Sequence, residues 1–140
     1  MKKKINIILV IIWMIVIFMM SSFDANTSSN QSNFIVDIIV NIFNIRNIDI
    51  LSFIVRKLAH FTEYLILGIL VYNLIHSYNK KVIVGIVICI LYAVSDEIHQ
   101  LFVPGRSCQL LDIFIDSMGS IMGISLLIFI NYIREKIKNK

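Results

Sequence analysis

A chain of 140 residues that is 58% apolar exceeds the roughly 45–50% apolar share of soluble domains, which excludes an ordinary water-soluble protein and points to the membrane. Its formal net charge of +4 gives no footing for nucleic acid, because the Lys and Arg residues gather at the chain ends and in one short turn, as the positive-inside rule requires. Its two cysteines exclude a disulfide framework or a structural zinc array: Cys89 lies about 18 Å of helix before Leu101, too far from Cys108 for the ~7 Å that a disulfide allows between Cα atoms.

In chain order, the basic tip Lys2, Lys3 and Lys4 precedes INIILVIIWMIVIFMM, a first span at about 5–20. Cleavage as a secretory signal would need a small residue where Phe23 or Met20 stands, so an uncleaved helix is expected. Residues 21–56 form an outer loop that begins with the polar linker SSFDANTSSNQSN, expected to be exposed. Within it Asn33, Asp37, Asn41, Asn44 and Asn47 recur at helical spacing among apolar residues such as Phe34 and Ile38, which predicts an amphipathic helix in the outer interface, with a re-entrant or partly buried helix as the alternative.

The second span, at about 57–78, carries its charge at the start. His60, Glu63 and Tyr64 stand at i, i+3 and i+4, on one helix face. Asn79, Lys80 and Lys81 make a short turn into the third span, 82–101, where Tyr92, Asp96 and His99 share a face beside Glu97 and Gln100. Pro104 and Gly105 stop that helix. The fourth span, 110–132, opens with Asp112 and Asp116 and continues into Gly119 and Gly123, a GxxxG face for close helix packing; a basic tail follows.

The predicted fold is an all-α integral membrane four-helix bundle with an extra interfacial amphipathic helix in the first outer loop, all within a single domain of residues 1–140. Nine of the thirteen Lys and Arg residues fall on one side if both chain ends are cytoplasmic, leaving Arg46, Arg56, Lys57 and Arg106 on the other. That arrangement gathers the polar start of span two, the polar end of span three and the acidic start of span four at the outer face. An ionisable residue inside a span costs at least about 2.5–3.5 kcal/mol and is a functional-site candidate by default. A proton-coupled transporter would keep its carboxylate near the midplane at a repeat interface, and the sequence shows no internal repeat.

The set Lys57, His60, Phe61, Glu63 and Tyr64, followed by Asp96, Glu97, His99, Gln100, Pro104, Gly105, Arg106, Asp112, Asp116, Gly119 and Gly123, resembles the VanZ-like family, whose motifs read approximately KxxHFxEY and DExxQxFxPGR. The resemblance covers nearly the whole chain, with departures at Phe23 and Cys108. It implies a multi-pass cell-membrane protein associated, in some members, with low-level teicoplanin resistance.

Several readings of the cluster stay open. Lys57, His60, Glu63, Tyr64, Asp96, Glu97, Gln100, Arg106, Asp112 and Asp116 are the expected ligand-binding set. Its partner would be membrane lipid, a cell-wall precursor or a glycopeptide-related ligand, with phosphate or carboxylate held by Arg56, Lys57 and Arg106. A membrane-embedded enzyme would instead use His60 or His99 as a general base oriented by Glu63 or Asp96. A metal site of His60, Glu63, Asp96 and His99 lacks any HExxH-type spacing, so neither metal nor cofactor is expected. The structural alternatives are a lock between Arg106 and Asp112 or Asp116, a local hydrogen bond from His60, Glu97 turned away from the site, and Tyr64 and Tyr92 as interfacial aromatics. With no activated serine or cysteine in the sequence, binding is favoured over catalysis.

Overall fold

The computed structural model describes residues 2–43, 47–78 and 80–139. Asn44, Arg46 and Asn79 lie outside the described residues. Among the described residues five helices follow one another: α1 (Lys2–Ser21), α2 (Ala25–Phe43), α3 (Ile48–Ser77), α4 (Val82–Gln100) and α5 (Leu110–Lys138). Four of them, α1, α3, α4 and α5, are long and apolar enough to cross a membrane, for which about 20 residues are needed. The protein is an all-helical membrane bundle, with α2 as the additional helix.

In lipid there is no hydrophobic gain from burying a leucine against another helix, so apolar side chains face outward and small or polar ones fill the seams. Leu91, Phe114, Met122 and Phe129 are exposed, whereas Asp96, Glu97, Gln100, Asp112, Asp116 and Ser120 are buried. The tightest seam joins α3 to α5. A Cβ built on Gly119 would strike the backbone carbonyl of Phe61, and one on Gly123 that of Leu65; in return, one on Gly68 would strike the backbone of Ser120. The GxxxG face of α5 is therefore half of a reciprocal contact whose other half is Gly68.

Helix α1 is pinned by side chains that donate to backbone carbonyls already used within helices. Trp13 Nε1 donates to Glu63 O at 2.9 Å, Tyr92 OH to Met14 O at 2.6 Å, and Asn6 Nδ2 to Asn73 O at 3.0 Å. These bonds run α1 antiparallel to α3, placing the end of α1 beside the starts of α3 and α5 and the end of α4.

The stretch expected to be an exposed linker is mostly helix. Asp24 caps α2, its Oδ1 accepting from Thr27 N at 2.7 Å; these hydrogen bonds hold its carboxyl below the usual aspartate range. Ser28, Ser32 and Val36 then form an inward stripe at spacing four, with Ser32 and Val36 buried, while the predicted polar stripe of Asn33, Asp37 and Asn41 is exposed. The cause of the earlier start is the cap together with a tether: Ala25 N donates to Pro104 O at 3.2 Å, beside Gly105, whose φ of 74° is left-handed backbone that suits glycine. Asn47 does not belong to α2. It caps α3, accepting from Ile50 N at 3.3 Å, so α3 begins at Ile48 rather than near residue 57.

Candidate functional site

The end of α4 and the start of α5 meet α3 around Lys57. Its Nζ is paired with Asp112 Oδ1, donates to Gln109 Oε1 at 3.1 Å and lies 5.2 Å from the centre of the Phe53 ring. Gln109 N in turn donates to Glu97 Oε2 at 2.8 Å. Glu97 thus satisfies a backbone donor at the entry to α5, one of the groups a helix start leaves free. The alternative of a lock from Arg106 to Asp112 or Asp116 is not formed among the described residues, since Asp112 pairs with Lys57 and Asp116 faces His60. The reason is reach: Lys57 enters the α3–α5 seam from inside, whereas Arg106 lies on the loop that lines the cavities described below.

Deeper in the bundle, Asp96, Glu97 and Asp116 bring carboxylate oxygens within 4.8 Å of one another. Glu97 is fully buried and not turned toward lipid. Both oxygens of Asp116, Oδ1 of Asp96 and Oε1 of Glu97 have no hydrogen-bond partner. Such a set has to be neutralised, by protons on the carboxyls themselves or by a nearby positive charge. His60 offers one when protonated, because its Nδ1 lies 3.5 Å from Asp116 Oδ1, near enough for an ion pair and too far for a good hydrogen bond. The alternative of a purely local hydrogen bond from His60 gives way to this contact across the α3–α5 seam. By donor type the three carboxylates could also hold a hard divalent cation.

The alternative metal set of His60, Glu63, Asp96 and His99 is not assembled among the described residues, where the carboxylates of Asp96, Glu97 and Asp116 group together instead. His99 faces the end of α1, with its Nε2 3.1 Å from Ser22 Oγ and its ring 4.4 Å from that of Phe18. Gln100, on the same helix end, donates to Ser21 Oγ at 3.1 Å and to Asp96 Oδ2 at 3.3 Å, linking α1 to the acidic set. Tyr64 is no interfacial aromatic: it is completely buried, and its hydroxyl has no hydrogen-bond partner. Tyr92 clamps α1 as described, its ring 6.2 Å from that of Tyr64.

Two cavities open beside these groups. One of about 140 Å³ is lined by Arg56, His60, Glu63, Asp96 and Arg106, and is roofed by Ser28, Gln31, Ser32 and Ile35 of α2. The second, of about 70 Å³, continues toward the α4–α5 loop past Lys57, Gln100, Ser107, Gln109 and Asp112, and shares Ser28, Arg56 and Arg106 with the first. Among the described residues neither arginine has a carboxylate oxygen within ion-pairing distance, and Arg56 Nε is buried without a partner.

The family model for VanZ/LLP1 matches residues 6–131. The chain belongs to the VanZ/LLP1 family. No curated protein and no solved structure matches it. The matched segment of this VanZ/LLP1 chain spans every helix, from the first turns of α1 to most of α5, so the whole cluster lies within the family's shared region.

Some contributors had no readable signal in the VanZ/LLP1 sequence. Ser28, Gln31 and Ser32 line the larger cavity only because α2 folds over it, and in the sequence they look like linker. Gln109, which bridges Lys57 and Glu97, stands at the end of a loop with nothing to distinguish it. Ser21, partner of Gln100, could have been found through its place at the end of α1, where a buried serine on an apolar helix needs an acceptor or donor across the seam.

Proposed function

We propose that the protein sits in the cell membrane with both chain ends in the cytoplasm, and that its charged cluster faces outward to hold an anionic envelope ligand, such as a lipid-linked cell-wall precursor, without transforming it. The observation that carries this reading is the pair Arg56 and Arg106, which line both cavities and lack acidic partners among the described residues. A guanidinium can grip phosphate or carboxylate through two parallel hydrogen bonds. Lys57 is committed to Asp112 and serves to position rather than to bind. Holding a precursor in this way would keep it from teicoplanin-type drugs, which agrees with the resistance associated with some members of the family.

Binding is tested with inorganic pyrophosphate, which should raise the melting temperature of purified protein and lose that effect in the Arg56→Gln, Arg106→Gln double variant. In a susceptible host lacking the gene, expression should raise the teicoplanin concentration needed to stop growth. The same double variant should return it to the host's own level at unchanged membrane abundance. Protection that survives loss of both arginines would remove them from the site. Orientation is checked separately: in a variant without native cysteines, a cysteine at Ser107 should react with an impermeant maleimide on whole cells, and one at Asn139 only after permeabilisation. Labelling at Asn139 on whole cells would invert the arrangement.

One contact favours a second reading, a membrane-embedded acid/base enzyme acting on a lipid-linked substrate. His60 lines the larger cavity and faces Asp116, the relation of a general base to its orienting carboxylate. Turnover of a labelled lipid-linked precursor, lost in His60→Ala, would establish it over simple binding.

A further inference from the structure

The larger polar cavity does not end in protein. Ile35, Val55, Ala59 and Glu63 form part of its wall and part of the wall of a third hollow, an open groove of about 450 Å³ between α1, α2 and α3. Trp13, Ile39, Leu58, Thr62 and Ile66 complete that groove, and it is mainly apolar because Thr62 Oγ1 is spent on Leu58 O at 2.7 Å. Its volume lies within the roughly 300–1,000 Å³ usual for small-molecule sites. Trp13 cannot swing across the opening, because its Nε1 is bonded to Glu63 O. An apolar channel entered from the side and a cavity lined by two guanidinium groups without ion-pair partners among the described residues therefore meet along Ile35, Val55, Ala59 and Glu63, of which Glu63 is the one that carries charge.

We infer that the ligand is a membrane lipid that enters sideways. Its hydrocarbon chain lies in the groove beside Trp13, its phosphate reaches Arg56 and Arg106, and hydroxyl groups beyond the phosphate donate to Glu63 and Asp96. Charge complementarity selects the occupant: a neutral chain alone would leave the arginines unmet, and a free phosphate would leave the groove to bulk lipid. The carboxylates that line the same cavity suit a headgroup with donors of its own. A choline headgroup, which has no hydroxyl or amine hydrogen, does not fit. This inference rests on the reading of the arginines as anion holders.

Trp13 is the only tryptophan in the chain and reports directly on the groove. The intact protein is reconstituted in phosphatidylcholine vesicles containing either phosphatidylglycerol or phosphatidylcholine brominated on the acyl chains. Brominated phosphatidylglycerol should reach half-maximal quenching of Trp13 at an about tenfold lower mole fraction, the ratio that one charge-assisted hydrogen bond supplies. Unbrominated phosphatidylglycerol should reverse that excess in the wild-type protein, a measurement that depends on no variant. The Arg56→Gln, Arg106→Gln double variant should quench equally with both lipids, because the headgroup hydroxyls reach Glu63 and Asp96 only when the arginines hold the phosphate in place.

Equal quenching by the two lipids in the wild-type protein, with pyrophosphate binding intact, would overturn the sideways-entering lipid and leave the anion site standing. Equal quenching together with no pyrophosphate effect would overturn both. A preference for phosphatidylglycerol that persists in the double variant would overturn the assignment of the phosphate to Arg56 and Arg106.

Discussion

Gly123→Ala should cost the bundle about 3 kcal/mol or more, at the upper end of what overpacking a close seam usually costs, and Gly119→Ala should be nearly as damaging. The single added methyl in each case meets a backbone carbonyl of α3, Leu65 O or Phe61 O, and backbone cannot turn aside as a side chain can. The two carbonyls are four residues apart, as are the two glycines, so the contacts repeat with one helical turn and brace α3 against α5 along a line. Gly85→Ala is the internal control, since its methyl would meet Ile75 Cδ1 and Val71 Cγ1, side-chain tips that can give. Melting followed by size-exclusion chromatography in detergent should show a large loss for Gly119→Ala and Gly123→Ala and a small one for Gly85→Ala. The reverse order would mean that α3 and α5 do not meet along this face.

Lys57→Met should be the second severe change. It leaves Asp112, which is 4% exposed, without its cation, and removing one partner of a buried ion pair costs about 3–5 kcal/mol. The double variant Lys57→Met, Asp112→Leu should regain most of that loss, because the uncompensated charge has gone and the seam is again apolar. Arg106→Gln, by contrast, should accumulate normally. Membrane abundance and detergent melting of the four proteins, wild type included, decide the matter. Normal accumulation of Lys57→Met alongside loss of Arg106→Gln would restore Arg106 as the lock and take it out of the ligand site.

Breaking the lock should lower abundance, whereas removing the arginines should lower protection at unchanged abundance. His60 belongs to neither group. Its contact with Asp116 offsets part of the charge of three crowded carboxylates, and it also lines the cavity, so His60→Ala should affect both readouts.

What the sequence determined by itself was everything that depends on composition along one helix. The four apolar spans, the stops at Pro104 and Gly105, the placement of Asp96, Glu97 and Gln100 near the end of the third span, and the close-packing face at Gly119 and Gly123 all follow from rise per residue and local spacing, whereas Lys57, His60 and Glu63, expected at the start of the second span, lie well inside α3, which begins at Ile48. Which side chain meets which across a seam was decided only by the tertiary structure. That choice depends on the rotation and depth of each helix, and spans that are apolar nearly all round do not encode their own rotation. The α3–α5 glycine contact sets it, bringing Lys57 to Asp112 and His60 to Asp116, while Glu63, which shares a face with His60, turns to the two hollows. Likewise α2 looked like linker followed by an interfacial helix, because its inward stripe of serines is legible only once there is a charged cavity beneath it to cover.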